Sequence, residues 1–380
     1  MNIAFVVTRL DFGGVPDIVR MIADDTAQRG HTVTIIHGPT KHPTPATEAF
    51  LARHHVLYVP SLKRDMHPIW DALAFVHLFG LFVSGRYDVV FTHSSKAGVL
   101  GRFAAAAAGV KRIIHMPHGH NFYGYFSRGV TSVIIFAEKL AARVTDVLVA
   151  LTELEKFDYV VRKVIPAERV AVVPSGFDVT AFTPKTYVER LRIRRELLRI
   201  DDELPLVVMI ARLESVKGPE FLYDAAVLLF ARKRALRVLF VGEGSLEESL
   251  RARAVSDGID DRVRFLGWRN DALEILSCAD ISVLPSLNEA VGRTIIESQL
   301  LEVPVAAAKV GGIPEIIEHE KTGLIFRAGD EHDIALSIER LLDDARLRQR
   351  IAADARRSAL ERYSVSSMLD KVAEVIEGTA

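Results

Sequence analysis

Cysteine is almost missing from these 380 residues: Cys278 is the one copy, and a lone thiol forms no internal disulfide. It sits in an apolar stretch before Asp280, where a buried inert thiol is expected and not a nucleophile. One thiol suits a reducing compartment, so the expected location is cytoplasmic. Charge of one sign is not in excess either. Lys and Arg number 48 against 49 Asp and Glu, a formal net charge of −1 that gives no global reason to expect nucleic-acid binding. Long apolar runs are absent: the longest charge-free one, residues 72–85, is shorter than a membrane span requires, and no transmembrane helix is expected. The opening M-N-I-A-F-V-V-T-R-L has no positive n-region and no cleavage site, and reads as a first buried strand and not as a signal peptide.

What is present is globular. With 49% hydrophobic and 26% charged residues the chain can bury a core, and its length predicts two domains. Residues 3–8 are a near-continuous apolar run, the pattern of a central parallel strand covered on both faces. Gly13-Gly14, a helix around 18–27 and a second strand at 32–37 complete a βαβ unit. Further strands are expected at 56–59, 89–93, 112–116 and 147–151, separated by helical segments. That alternation predicts an α/β fold with a doubly wound sheet. The A-A-A-A-A run in the helix 97–109 supplies small side chains for close helix–sheet packing. The arginine-rich stretch 186–202 reads as linker and first helix of the second domain, a solvated face backed by Leu191, Leu197 and Leu198.

The chain is organised around residues 284–326. The apolar run 281–284 stops at Pro285, Asn288 and Glu289 lie in the loop that follows, and Gly292 precedes a helical pattern of Ile295, Ile296, Leu300 and Leu301. Glu297 lies inside that helix near its start. Two carboxylates thus flank a helix N-terminus, whose unpaired N–H groups around Val291, Arg293 and Thr294 suit an anion. A ligand with a phosphate between two hydroxyl-bearing sugars matches, and a nucleotide sugar has that shape. On its own, Glu289 could equally be an electrostatic cap and Glu297 a solvated surface group.

The neighbourhood weighs against that plainer reading. Glu289, seven residues, Glu297, a Pro-Val strand and the loop Gly311-Gly312 together resemble the signature of the retaining family-four glycosyltransferases of GT-B fold. The resemblance implies two Rossmann-like domains facing an interdomain cleft: residues 1–183 on the acceptor side, joined by a final helix at 364–380, and residues 184–363 on the donor side. It implies that Glu297 holds the donor ribose and that Glu289 contacts the donor sugar. The family's Glu-Gly-Phe-Gly is Glu289-Ala290-Val291-Gly292 here, keeping only the last glycine.

Other motifs follow the family's order. Arg212 and Lys217 stand at the end of the strand 205–210, where a planar fork and a point charge suit a diphosphate; alone, each is normally a surface charge. They match the family's Gly-Arg-Leu…Lys-Gly, with Ala211 for the first glycine. Gly242-Glu243-Gly244 follows a strand, but Glu247 stands where a dinucleotide fingerprint has its third glycine, so an oxidoreductase is disfavoured. The resemblance gives Gly242 close backbone approach to the ligand and has Trp268 and Arg269 line the nucleobase. Gly13 and Gly14 would lie beside the donor phosphates or the reacting sugar. His118, in Pro117-His118-Gly119-His120, resembles the histidine that hydrogen-bonds the donor sugar in members building lipid-linked or capsular polysaccharides, and His93 lines the same region.

The expectation is a metal-independent retaining transferase. It would take a nucleoside-diphosphate sugar, with UDP as the expected nucleotide, and a glycan or lipid-linked acceptor in cell-surface polysaccharide synthesis. No Asp-x-Asp motif occupies a strand end, so neither metal nor other cofactor is expected. The apolar segments 122–136 and 70–83 suggest peripheral contact with the inner membrane face, though burial is the weightier expectation for both. Two alternatives stay open: a non-hydrolysing nucleotide-sugar epimerase, and an inactive nucleotide-sugar-binding subunit, suggested by the altered turn 289–292.

Overall fold

Strands rich in Val, Ile and Phe with no exposed partner face can be satisfied only by covering both sides with helices. The computed structural model, which describes residues 1–11, 14–40, 43–119, 122 and 127–379, builds two such sheets. The chain divides into a first unit, Met1–Gly176 with Val365–Ala380, and a second, Phe177–Ser364.

The first unit holds β1 (Asn2–Val7), β2 (Thr32–His37), β3 (His55–Tyr58), β4 (Val89–His93), β5 (Arg112–Met116), β6 (Val147–Ala150) and β7 (Val170–Val172). Their spatial order is β3-β2-β1-β4-β5-β6-β7, every pair parallel. Connections from β1 to β3 travel one way across the sheet and those from β3 to β7 the other. Right-handed crossovers therefore place helices Gly14–Gln28 and Pro45–Arg53 on one face. Pro68–Gly85, Ser95–Ala107, Arg128–Ala142 and Glu153–Val161 take the opposite face. The last helix, Val365–Glu377, packs beside Gly14–Gln28, with Arg29 donating to Asp370 at 2.7 Å.

The second unit repeats the scheme with β8 (Leu206–Ile210), β9 (Arg237–Val241), β10 (Val263–Phe265), β11 (Ile281–Leu284), β12 (Val305–Ala308) and β13 (Leu324–Phe326). The order is β10-β9-β8-β11-β12-β13, again parallel. In each sheet the chain reverses direction at one place, β1/β4 in the first and β8/β11 in the second. Such reversals open a crevice at the carboxyl ends of the strands.

Two expectations change. The apolar run 72–85 is part of a longer helix, Pro68–Gly85, whose 18 residues are long and apolar enough to cross a membrane by length and composition. It is not the buried helix expected: Ala74, Leu78 and Phe82 enter the core, but Ile69, Leu73, Val76 and Val83 face outward. The arginine-rich helix Tyr187–Leu198, closed at its start by a Thr186–Glu189 capping box, is not simply a solvated face. Arg194 is 2% exposed and donates Nε to the Cys278 carbonyl at 2.9 Å, because the C-terminal end of helix Ala272–Ser277 leaves carbonyls that need a donor. Cys278 itself is buried, and burial pushes its thiol up to about 11.

Candidate active site

The turns after β8 and β11 meet at the reversal point of the second sheet. The first carries Arg212 and Lys217 into helix Pro219–Ala231; the second carries Ser286 and Glu289 into helix Arg293–Leu300. They are stitched together. Leu287 N–H donates to the Val216 carbonyl at 2.9 Å, and Lys217 Nζ donates to Glu289 Oε1 at 2.5 Å. Ser286 Oγ donates to the same carboxylate oxygen at 2.9 Å. Gly218, at φ +66°, leaves room for the Pro285 carbonyl, which a Cβ would approach to 2.3 Å. Glu289 is also held from behind. Gly312 N–H donates to its carbonyl at 3.1 Å, and a Cβ on Gly311 (φ +49°) would lie 1.7 Å from that oxygen. The Lys217 and Glu289 side chains remain 16% and 11% exposed, screened enough to strengthen their attraction and open enough to change partners.

Helix Arg293–Leu300 begins at Gly292, in the left-handed region at φ +66° with no side chain to cap the first turn. Ile295 N–H is taken by the Gly292 carbonyl at 2.8 Å, and helix geometry leaves the Arg293 and Thr294 N–H groups without intrahelical acceptors. Val291 is buried before it. Glu297 lies one turn beyond Arg293, whose Nε is 3.9 Å from its carboxylate. The Arg293 guanidinium lies 4.3 Å over the Phe177 ring. Thr294 Oγ1 donates to the Ile210 carbonyl at 3.1 Å, tying the helix to the end of β8. Its hydroxyl is thereby occupied.

The remaining second-unit residues line up along the same carboxyl edge. Arg212 is exposed, and its side chain makes no hydrogen bond or ion pair among the described residues. Gly242 (φ +133°) follows β9, but the backbone it approaches is the chain's own: a Cβ there would lie 2.0 Å from the Ala211 carbonyl oxygen. Close approach to a ligand is thus not what this glycine's geometry requires. Trp268 is 48% exposed after β10. Arg269 is held by Asp271 through Nε at 2.7 Å and Nη2 at 2.5 Å, so its guanidinium already has a carboxylate partner.

In the first unit, β4 and β5 end in parallel register, and the residues just past them hold unusual backbone conformations. Ser94 (φ +65°) and His118 (φ +58°) both occupy the left-handed region, a local cost of order 1 kcal/mol or more each. His93 Nδ1 lies 3.0 Å from His118 Nε2, so one of the two rings donates to the other. Burial, and then the neighbouring His118, push the His93 imidazole well below its usual range. His115, equally buried and beside Arg102, is pushed the same way. Gly14 opens the helix after β1, whereas Gly13 lies outside the described residues, as do residues 120–121 after the histidine motif and 123–126 of the apolar segment.

Of the residues singled out from sequence, the structure brings Lys217 onto Glu289, His93 onto His118, and Arg293 near Glu297. It leaves Arg212 unengaged and gives Thr294 and Arg269 partners within the protein. Ser286 went unnoticed in the sequence. Its signal is positional, the first hydroxyl after the strand that carries Glu289.

Residues 192–358 match the family profile described as Glycosyl transferases group 1, and residues 12–181 that described as Glycosyltransferase Family 4. The Escherichia coli UDP-Gal:alpha-D-GlcNAc-diphosphoundecaprenol alpha-1,3-galactosyltransferase is 28% identical over 338 residues, 88% of this chain and 87% of its own length. A D-inositol 3-phosphate glycosyltransferase of Jonesia denitrificans is 30% identical over 289 residues, covering 72% of this chain and 68% of that one. The structure of Anabaena Alr3699/HepE in complex with UDP and glucose superposes over the whole of both chains with a TM-score of 0.84 at 22% identity.

Proposed function

This chain belongs to the family-four glycosyltransferases of GT-B fold, and from that premise we propose that it transfers a sugar from a UDP-linked donor, with retention of configuration, to a hydroxyl of a lipid-linked or other glycan acceptor in cell-surface polysaccharide synthesis. The observation that carries the reading is the Lys217–Glu289 pair at the β8/β11 reversal. A diphosphate entering there offers Lys217 a partner of higher charge, and Glu289 is then released to accept from sugar hydroxyls. Glu297, one helical turn beyond Arg293, accepts from the ribose. The donor's bond from sugar C1 to the diphosphate oxygen breaks as the acceptor oxygen bonds to C1 on the same face. The acceptor's proton passes to the departing diphosphate. Lys217, Arg212 and the first-turn amides after Gly292 stabilise the charge that develops on that diphosphate.

UDP is favoured because the E. coli relative's name specifies a UDP-galactose donor and the Anabaena neighbour was solved with UDP. The acceptor class follows the E. coli relative, whose acceptor is carried on diphosphoundecaprenol. Metal independence is favoured by two cations and a helix N-terminus placed to neutralise the diphosphate, and a cytoplasmic location by the lone thiol. The test is thermal unfolding with UDP, GDP and ADP at millimolar concentration, with and without EDTA. UDP alone should raise the melting temperature, by an amount EDTA does not change, since a ligand that binds only the folded state stabilises it. Lys217→Ala should remove most of the shift. A shift abolished by EDTA, or none with any nucleotide, would overturn the reading.

A further inference from the structure

Helix Pro68–Gly85 carries two apolar faces, and the fold uses only one. Ala74, Leu78 and Phe82 are buried against the first unit. On the opposite side Met66, Ile69, Leu73, Val76 and Val83 recur at helical spacing and stand open, with Ile69 at 66% exposure and Val76 at 64%. No Lys, Arg, Asp or Glu interrupts residues 72–85. The ridge does not stand alone. Helix Arg128–Ala142 lies on the same sheet face, beyond helix Ser95–Ala107, and exposes Val133 and Phe136. Exposed apolar area of this extent marks an interaction surface.

The charges around the ridge select its occupant. Lys63 and Arg64 are exposed at its N-terminal end, with Lys63 Nζ 3.7 Å over the Trp70 ring. Arg86 is exposed at its C-terminal end, and exposed Arg128 opens the second helix. The nearby acids turn inward: Asp71 pairs with Lys96 at 2.5 Å and Glu138 with Arg102 at 2.7 Å, leaving Asp65 as the one exposed acid beside the ridge among the described residues. An apolar stripe with basic ends and a tryptophan at its border fits the boundary between acyl chains and anionic headgroups. We propose that this face of the first unit lies flat on an anionic lipid surface, with Pro68–Gly85 in the plane of the interface over about 27 Å. The helix lies on the bilayer and does not cross it, because Ala74, Leu78 and Phe82 belong to the protein core. Apolar burial does most of the binding, with the four cations adding preference for negative headgroups.

The test is flotation of the full chain with vesicles of phosphatidylglycerol and phosphatidylethanolamine, and with vesicles of phosphatidylcholine alone. No nucleotide is needed, so the result is independent of the transfer reading. The protein should float with the anionic vesicles, at least tenfold more tightly than with the neutral ones, and should remain largely bound in 0.5 M salt. Ile69→Glu with Val76→Glu should weaken flotation tenfold or more at an unchanged melting temperature. Leu336→Glu, at an equally exposed leucine of the second unit (55%), should change nothing. The proposal is overturned if the wild type stays unbound to both vesicles or if the double variant floats as well as the wild type. It is equally overturned if the wild type is a dimer in solution that the double variant converts to monomer without either binding lipid, since a second copy then covers the ridge.

Discussion

Gly311 shows how tightly one residue of the candidate site is fixed by another far away in sequence. Its φ of +49° already excludes most side chains, and the nearest atom to a Cβ is the backbone oxygen of Glu289, which cannot swing aside. Gly311→Ala should therefore destabilise the second unit by more than about 1 kcal/mol. It should also displace Glu289 from Lys217, so that UDP raises the melting temperature less than in the wild type. Equal stability and an equal UDP shift would show that the turn after β12 does not set Glu289. At this scale the sequence was half legible. Glu289 and Glu297 stood out because their spacing places both about a helix N-terminus. The pairing of Glu289 with Lys217, 72 residues earlier, has no local signal. Gly242 was visible as a glycine that matters, but the close backbone of Ala211, which already forbids a side chain there, has no local signal.

Helices Ser95–Ala107 and Arg128–Ala142 are joined by an ion pair that no helical pattern announces. Arg102 is fully buried; its Nη2 donates to Glu138 Oε2 at 2.7 Å and its Nε to the Gly98 carbonyl at 2.8 Å. Removing either partner leaves the other charge buried alone. Arg102→Leu or Glu138→Leu should each cost about 3–5 kcal/mol, whereas the double substitution should recover most of the loss. Chemical denaturation of the three variants decides it, and additive losses would show that the pair is not the unit of stability. Element type and order were legible, because buried parallel strands read as continuous apolar runs and alternate with helical spacing. Which face of a helix is solvated was less so. The arginines of residues 186–202 look alike in sequence, yet Arg194 enters the fold since Cys278 presents it a carbonyl. Pro68–Gly85 looked like core and is half surface.

Length and βα alternation made two parallel-sheet units legible, but not how unevenly their titratable groups would be buried. Eleven of the thirteen histidines lie in residues 1–176. His93 and His115 are completely buried and held well below the usual imidazole range by burial, and His37 is lowered for the same reason. The second unit has only His319 and His332, both on its surface. In an unfolded chain imidazoles take up a proton near pH 6.5, while the buried ones of the folded first unit stay neutral to lower pH. Below about pH 6.5 the unfolded form thus binds more protons, and the first unit loses roughly 1.4 kcal/mol per pH unit for each such histidine. The chain contains its own reporters, since Trp70 lies in the first unit and Trp268 in the second. Fluorescence of Trp268→Phe should therefore show a melting temperature that falls steeply between pH 7 and pH 5. Fluorescence of Trp70→Phe should show a smaller fall, together with the larger stabilisation by UDP. Parallel acid losses at the two reporters would mean that the buried imidazoles are not what limits the molecule in acid, and a steeper loss at Trp268 would place the acid-sensitive groups in the second unit instead.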